Sequence, residues 1–223
     1  MVSYYDHETS MVPRPTALVN KKTGDAHDNP VLSLGAKGHV YVFSSSHGVQ
    51  RPSYVFRSLE PYSVDKFQCV EKSNFSYTQP WLVPSGNFLF LHTWYVNHNR
   101  NLRFISIPPS GKYRGGKETS LAFMEKGHYH VSNPFYHEGR AKKVGTAFNV
   151  HPDPRGLNYR TNLHYLETHD EGKMWCAADE TPLELPLSKS SIGCESLGPS
   201  EDHPSLVYNY SENGRLVYLK DLN

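Results

Sequence analysis

Cysteine, net charge and long apolar runs are all scarce in this chain of 223 residues. The three cysteines, Cys69, Cys176 and Cys194, form no Cys-x-x-Cys pair, so the sequence predicts no full disulfide framework. Because 23 basic residues nearly balance 22 acidic ones, we expect no electrostatic attraction to nucleic acid or to an anionic membrane. No apolar run approaches the roughly 18 residues that a membrane-spanning helix needs.

Several catalytic signatures are missing as well. The chain has no glycine-rich phosphate loop, no HExxH, no GxSxG and no obvious pair of catalytic carboxylates. These absences disfavour phosphoryl transfer and serine-hydrolase chemistry. Sustained helical periodicity is also absent, and the aromatic content of 13% suits short strands separated by turns. The sequence therefore predicts an all-β fold.

A framework of polar cluster, strand-like run and second polar cluster recurs about every fifty residues. Its copies begin at His27, Tyr77 and His128, which are 50 and 51 residues apart, and a shorter fourth copy begins at Asp202. A period of this size with several short strands per unit is typical of a propeller blade. The sequence predicts one domain over residues 1–223, a β-propeller of four-stranded antiparallel blades with about three to four blades present.

Three strand-like runs are visible in each of the first three copies: residues 31–34, 39–43 and 53–58, residues 81–83, 88–95 and 102–107, and residues 131–137, 143–149 and 161–168. Residues 4–6 and 207–219 resemble pieces of blades cut at either end. Closed propellers usually need at least four blades, so the chain is predicted to be part of a larger propeller. Its open edges would then pair with the missing blades or with a second copy.

Residues 168–175 fit the Asp-box pattern S/T-x-D-x-G-x-x-W. We expect Asp170 to cap the turn between two strands, Gly172 to supply a positive φ angle and Trp175 to pack between blades. The expected role of this motif is structural.

His27 and His47 are the strongest candidates for chemistry. His27 precedes the innermost strand and His47 closes the next one, so two antiparallel strands place both imidazoles at the same rim. His and Tyr suit proton transfer near neutral pH, although such residues can instead cap turns and bond backbone. The equivalent rim positions in the second and third copies hold Tyr77, Trp94, Tyr129 and Asn149.

Cysteine and histidine also recur in the last third of the chain. Cys176 and Cys194 flank a loop, and His164, His169 and His203 lie nearby in sequence. Zinc takes thiolate and imidazole ligands in tetrahedral structural sites. The alternatives are two buried free cysteines, or a disulfide in an oxidising compartment.

Arginines and aromatics near strand ends are candidates for ligand binding. A guanidinium can bind a carboxylate or sulfate through two parallel hydrogen bonds, and the candidates are Arg51, Arg100, Arg103 and Arg160. Their spacing does not indicate which of them faces the cleft. Trp81, Trp94 and Tyr95 could stack on sugar rings, or could pack between blades.

These residue blocks resemble the BNR-repeat propellers. Residues 27–33, 43–48 and 51–54 are similar to the first motif block of that family, and residues 77–81, 127–129 and 147–152 to its later blocks. The resemblance covers nearly the whole chain. The family includes ulvan lyases built on seven-bladed propellers, which cleave a sulfated, uronate-containing algal polysaccharide by β-elimination.

The resemblance implies specific roles. His27 and His47 match the paired catalytic histidines, and Tyr77 or Tyr129 matches the tyrosine acid or base. No cofactor is implied for the chemistry, but a structural zinc is, with candidate ligands Cys176, Cys194, His164 and His203. The residues that would bind the acidic polysaccharide are Asn29, Arg51, Trp94, Tyr95, Asn149, His151 and Arg160. The family also implies a secreted or periplasmic protein, although residues 1–6 show no signal peptide.

Three functions remain open at this point. The leading hypothesis is a polysaccharide lyase acting on an acidic, sulfated uronate glycan. The second is a non-catalytic glycan-binding propeller or an inactive lyase fragment. The third is an Asp-box, sialidase-like glycoside hydrolase, which needs two carboxylates at the cleft. The first rim offers only Asp25 and Asp28 for that purpose.

Overall fold

The computed structural model describes residues 1–97, 99–112, 118–124, 128–137, 140–150, 160–192, 203–210 and 219. For residues 128, 129, 131, 136, 137, 140, 141 and 161 it describes the backbone alone. Within this part of the chain the regular structure consists of strands and one 3-10 turn, Ala26–Asp28. The predicted all-β class is therefore confirmed.

The strands form three sheets. The first sheet has the order β1 (Pro30–Leu34), β2 (Val40–Ser44), β3 (Ser53–Ser58) and β4 (Phe67–Ser73). The second has the order β5 (Ser76–Leu82), β6 (Phe88–Val96), β7 (Asn99–Ile107) and β8 (Thr119–Phe123), and β12 (Leu187–Ser188) pairs parallel to β8. The third has the order β9 (His128–His137), β10 (Arg140–Val150), β11 (Thr161–Thr168) and β13 (Leu206–Tyr208). All neighbours other than β8 and β12 are antiparallel.

The structure places the two ends of the chain differently from the prediction. The described part of the shorter fourth copy joins the third sheet, because Leu206–Tyr208 pairs with β11 as its outer strand, and residues 211–218 lie outside the described residues. Residues 4–6 form no blade strand. The N-terminal segment makes only isolated bridges, from Val2 to Thr16 and from Asp6 to Met11.

The sheets stack face to face around two apolar layers. Between the first and second sheets, the rings of Phe43 and Phe90 lie 5.0 Å apart within a cluster that also contains Tyr41, Val55, Phe75, Phe88, Ile105 and Ile107. Between the second and third sheets, Leu91 and Phe104 pack with Phe148 and Leu166. Burying these side chains supplies most of the stability of such a fold, at about 25 cal/mol per Å² of apolar surface.

The first sheet is covered on its other face by the N-terminal segment. Val2, Leu18 and Val19 pack against Val42 and Phe56. Successive strand residues point to opposite faces, so β2 sends Tyr41 and Phe43 toward the second sheet and Val42 toward this segment. This explains why every residue of β2 is buried.

The Asp-box has its expected structural role. Asp170 Oδ1 accepts the backbone N–H of Met174 at 2.9 Å, and the N–H of Gly172 donates to Thr168 Oγ1 at 2.9 Å. Gly172 has φ +90°, where a Cβ atom would also collide with Phe104. Trp175 is buried, and its ring lies 5.4 Å from that of Phe104. The motif thus ties a turn after the third sheet to the second sheet.

The first strands of the three sheets lie side by side. Strand β5 contacts β1 on one side and β9 on the other. Residues at one end of these three strands can therefore meet, and this is the end where the candidate site lies. No helix among the described residues is long and apolar enough to cross a membrane.

Candidate active site

The imidazoles of His27 and His47 stack at the end of the first sheet. Their ring centroids lie 4.3 Å apart and the ring planes differ by 21°. His27 belongs to the 3-10 turn, which begins because Asp25 Oδ1 accepts the His27 backbone N–H at 3.0 Å. His47 follows β2, whose last residue, Ser44, pairs with Pro30 at the start of β1. The prediction that the two histidines share one rim is confirmed.

Two aspartates hold this pair in place. Asp25 lies 2.7 Å from His27 Nδ1 and 3.4 Å from His47 Nδ1. Asp28 accepts the backbone N–H of His47 at 2.7 Å and pairs with Arg51 Nε at 3.1 Å. Arg51 also lies 3.4 Å from Asp25. The arginine predicted to bind substrate is therefore engaged in positioning the carboxylates behind the histidines.

Tyr77 faces both histidines from the second sheet. Its ring centroid lies 6.2 Å from that of His27 and 6.1 Å from that of His47, in edge contacts. The register of β5 and β6 shifts between Ser76 and Gln79, and Tyr77 has φ +53° within this irregularity. A bulky residue in that left-handed region is uncommon, and such strain occurs preferentially at functional sites.

His130 extends the cluster to the third sheet. Its ring lies 6.3 Å from that of Tyr77, and Thr93 Oγ1 lies 3.2 Å from its Nδ1. His130 is buried. Tyr77 is thus the residue at which aromatic side chains from all three sheets meet.

Tyr95 and Arg100 complete the cluster from the second sheet. Tyr95 lies 5.9 Å from the His47 ring, and the Arg100 guanidinium lies 5.8 Å from the Tyr95 ring centroid. The two residues are cross-strand partners in the β6–β7 hairpin, whose turn residue Asn97 has φ +48°. Asn at positive φ is typical of two-residue hairpin turns. Arg100 is buried, and its positive charge acts on both His47 and His130.

Sequence reasoning grouped Arg100 with three other arginines without placing it. The signal that could have placed it is the pair Asn97-His98, because a two-residue turn there makes Tyr95 face Arg100. Trp94 instead contacts Arg103 at 5.1 Å and the edge of His92 at 6.4 Å. Adjacent strand residues point to opposite faces, so Tyr95 rather than Trp94 joins the His47 cluster.

Burial and neighbouring charge set the protonation of the site. Burial lowers the pKa of His47, and the positive charges of His27 and Arg100 lower it further, against the attraction of Asp25. Burial lowers the pKa of His130 to about 4, with Arg100 acting in the same direction. Hydrogen bonds from the backbone and side chain of His27 hold the pKa of Asp25 far below its usual range. The lowered pKa values keep the imidazoles of His47 and His130 neutral near neutral pH, beside the ionised carboxylate of Asp25.

The other predicted substrate residues are more scattered. The backbone carbonyl of Asn29 accepts the Ser45 hydroxyl at 3.0 Å. Asn149 is buried on β10, where its backbone pairs with that of Tyr129. Arg160 is half-buried directly before β11. The Tyr129 side chain and all of His151 lie outside the described residues.

The predicted zinc ligands separate into two places. His164 and His203 come together, each with Nδ1 within 3.0 Å of Ser205 Oγ. Cys176 instead bridges to Glu167, toward the other end of β11. Cys194 lies outside the described residues.

Cys176 belongs to a different group of potential ligands. The ligand atoms of Glu167, His169 and Cys176 lie within 4.8 Å of one another. Glu167 Oε1 contacts His169 Nε2 at 2.8 Å, while its Oε2 pairs with Lys143 Nζ at 2.9 Å. Thiolate, imidazole and carboxylate are donors that zinc takes, although a zinc ion here would have to compete with the Lys143 ammonium for Glu167. The donor chemistry therefore fits the implied structural metal better than the predicted set does.

Asp25, His27 and His47 also bring three donor atoms within 4.8 Å. Here Arg51 lies against the same carboxylate, at 3.4 Å from Asp25 Oδ2. A guanidinium at this distance opposes a second cation, so the geometry favours hydrogen bonding over metal binding.

Comparison with solved structures finds polysaccharide lyases. An ulvan lyase described as a new family, PL25, matches with TM-score 0.68 and 14% identity over 92% of this chain and 52% of its own. A second structure of a PL25 ulvan lyase, bound to -[GlcA(1-4)Rha3S]-, matches with TM-score 0.69 and 13% identity over 93% of this chain and 53% of its own. The polysaccharide lyase Uly1 matches with TM-score 0.61 and 11% identity over 95% of this chain and 54% of its own. No family model and no curated protein matches the chain.

The chain shares the fold of these polysaccharide lyases. At this low identity the likeness shows the fold alone, and the chain spans about half the length of the lyases it matches. The predicted likeness to ulvan lyases is confirmed at that level. Membership of the BNR-repeat family stays a prediction, because no family model matches.

Proposed function

We propose that this chain forms part of a polysaccharide lyase that cleaves an acidic, uronate-containing glycan by β-elimination. The observation that carries the proposal is the convergence of His47, Tyr77 and Arg100 on one site, beside His27. The fold shared with ulvan lyases supports it. One of those relatives is bound to -[GlcA(1-4)Rha3S]-, which favours a sulfated uronate polymer as the substrate class.

The chemistry makes three demands that these side chains can meet. The C5 proton of a uronate becomes acidic when a cation neutralises the carboxylate beside it. A base must then reach that proton at about 3 Å, and an acid must protonate the leaving glycosidic oxygen. The C5–H bond and the C4–O bond break, and a C4=C5 double bond forms. No redox partner is needed.

Each role follows from the local environment. Arg100 is the neutralising cation, because it is a buried guanidinium within electrostatic reach of His47. His47 is the base, because burial and positive neighbours keep its imidazole neutral. Tyr77 is the acid, since its ring lies against both histidines. His27 forms the more exposed wall of the site.

A glycoside hydrolase is disfavoured by the contacts of Asp25 and Asp28, the two carboxylates that the described residues place at this rim. Asp25 contacts both histidines, and Asp28 is buried against Arg51 and Lys21. Most glycoside hydrolases use one protonated and one ionised carboxyl group on either side of the glycosidic bond. Neither aspartate is arranged for such a role.

The architecture follows the same analogy. We propose that the three sheets are three blades of a propeller and that further blades come from a longer chain or a second copy. With this substrate we propose a secreted or periplasmic protein, because such a polymer cannot enter a cell. A structural zinc, if bound, would be held by Glu167, His169 and Cys176 and would brace the end of β11.

One assay separates the proposal from its rivals. The protein is incubated with ulvan, with a neutral glucan and with a sulfated polymer that lacks uronate. Ultraviolet absorbance of the unsaturated product and new reducing ends are measured together. We expect both to rise in parallel on ulvan alone. Saturable binding without either signal would indicate a glycan-binding protein, and reducing ends without absorbance would indicate a hydrolase.

A further inference from the structure

We propose that Asp25 is a positioning residue that fixes the tautomer of both histidines at once. One carboxylate would hold Nδ1–H of His27 and of His47, so that both Nε2 lone pairs point away from Asp25 and are available to accept a proton. The catalytic consequence rests on the proposed lyase function, but the tautomer itself does not.

The geometry divides the carboxylate between the two rings. Asp25 Oδ1 lies 2.7 Å from His27 Nδ1 and also accepts the His27 backbone N–H at 3.0 Å. Asp25 Oδ2 lies 3.4 Å from His47 Nδ1 and 3.4 Å from Arg51 Nη2. Among the described residues, every contact of this carboxylate is therefore with a nitrogen that can donate a hydrogen bond.

An ionised carboxylate can only accept hydrogen bonds. Both Nδ1 atoms must then carry hydrogen for the contacts to be favourable, and a neutral imidazole with hydrogen on Nδ1 has its lone pair on Nε2. Nδ1 and Nε2 lie on opposite sides of the ring, so a ring held through Nδ1 directs Nε2 away from Asp25. A carboxylate that orients a catalytic imidazole acts in this way in other enzymes.

The surroundings keep Asp25 ionised and in place. Its own turn supplies two hydrogen bonds, and these lower its pKa. Arg51 is in turn held by Asp28, which also accepts the backbone N–H of His47. The stacked pair is bordered by Tyr77 and Tyr95 from the second sheet. The orientation of the two imidazoles therefore depends on one carboxylate and its immediate partners.

Asp25→Asn tests the idea because it changes charge and donor pattern but almost no volume. The amide oxygen can still accept from the His27 backbone and ring at the Oδ1 position. The amide nitrogen then replaces Oδ2 and donates, so it faces His47 Nδ1 as a second donor. His47 must shift its hydrogen to Nε2 to accept this bond, and the base lone pair is lost from the cleft.

The experiment reads the tautomer directly by NMR of ¹⁵N-histidine-labelled protein near neutral pH, with resonances assigned through His27→Gln and His47→Gln. We expect wild-type protein to show Nδ1–H at both rings and Asp25→Asn to show Nε2–H at His47. In the lyase assay, kcat should fall about 100-fold or more with KM changed less than about 3-fold, by analogy with a misoriented base. The conservative variant Asp25→Glu, which keeps the carboxylate, should retain part of the rate.

Asp179→Asn is the matched control. Asp179 Oδ1 accepts the backbone N–H two residues later at 3.0 Å, as Asp25 does, but no histidine contact is described for it. This variant should keep both tautomers and the full rate. Nε2–H at His47 in wild-type protein, or an unchanged His47 tautomer in Asp25→Asn, would overturn the inference. Wild-type protein with the expected tautomers but no lyase activity would instead refute the proposed function.

Discussion

Tyr95 and Arg100 face each other across the β6–β7 hairpin, with the guanidinium 5.8 Å from the ring centroid. This pairing brings a buried cation beside His47, whose ring lies 5.9 Å from that of Tyr95. The proposed base, His47, and the proposed carboxylate-binding group, Arg100, thus come from two neighbouring sheets. The proposed elimination depends on that juxtaposition.

Replacing Arg100 tests whether its charge neutralises the carboxylate of the uronate. Arg100→Gln is expected to lower kcat/KM on ulvan by about 100- to 1,000-fold, because the developing carboxylate charge loses its cation. Loss of this positive charge should also move the acid limb of the pH–rate profile upward, since Arg100 helps to lower the pKa of His47. Arg57→Gln is the control, because Arg57 bonds Tyr41 in the first sheet. An unchanged rate in Arg100→Gln would remove this residue from the mechanism.

Buried histidines should make the fold sensitive to acid. Burial lowers the pKa of His92 to about 3, of His130 to about 4 and of His164 to about 3. The unfolded chain protonates these groups near pH 6.5 while the folded chain excludes the protons. The free energy of unfolding should therefore be at its highest above about pH 6.5. Between about pH 6.5 and about pH 4 it should fall by up to about 1.4 kcal/mol per pH unit for each of these groups.

His92→Phe provides the matched test of that acid sensitivity. His92 is buried among the rings of Phe75, Phe90 and Trp94, so a phenyl ring suits its surroundings. Urea unfolding at pH 7.5, 5.5 and 4.5 (values chosen to span about the window above) should show a shallower loss of stability in this variant. Equal slopes in the two proteins would show that His92 does not titrate on unfolding.

Trp175 should be the main structural contribution of the Asp-box. It is 2% exposed and packs on Phe104, so Trp175→Ala should lower the free energy of unfolding by about 3–5 kcal/mol. Met174→Ala is the control, because Met174 is 56% exposed and should change stability by less than about 0.5 kcal/mol. Denaturant unfolding of both variants measures the difference, and similar midpoints would contradict the packing role.

A metal at Glu167, His169 and Cys176 can be detected without any activity assay. Cobalt(II) added to the protein should produce thiolate-to-metal charge-transfer absorbance, and zinc should displace it. Cys176→Ser should abolish the absorbance, whereas Cys69→Ser should not, because Cys69 lies on β4. Absorbance that survives in Cys176→Ser would place the metal elsewhere.

Much of the fold was predictable from the alternation of apolar and polar residues along the strands and from the turn residues between them. The inner strands of each copy carry regular apolar patterns, whereas β4 (Phe67–Ser73) is a largely solvated outer strand with little apolar signal. Strand β13 is only three residues long, so its assignment to the third sheet needed the pairing with β11. Local pattern cannot supply a partner that distant contacts select.

The site was predictable only in part. The shared rim of His27 and His47 followed from strand order, because His27 precedes β1 and His47 follows its antiparallel neighbour β2. Whether Trp94 or Tyr95 joins the site depends on which of them lies on the face of β6 that points to His47. Adjacent residues point to opposite faces, so an error of one residue in the strand register reverses the prediction. The role of Asp25 depends on side-chain geometry within a 3-10 turn, which spacing alone does not reveal.

The most direct test of the central claim compares wild-type protein with His47→Ala on ulvan, while ultraviolet absorbance and reducing ends are followed together. We expect absorbance and reducing ends to rise in parallel for wild-type protein. The rate for His47→Ala should be at least about 100-fold lower, because the base is lost. His39→Ala serves as control, since His39 contacts the Ser58 carbonyl away from the cluster. Reducing ends without absorbance, or a wild-type rate in His47→Ala, would contradict the proposed β-elimination with His47 as its base.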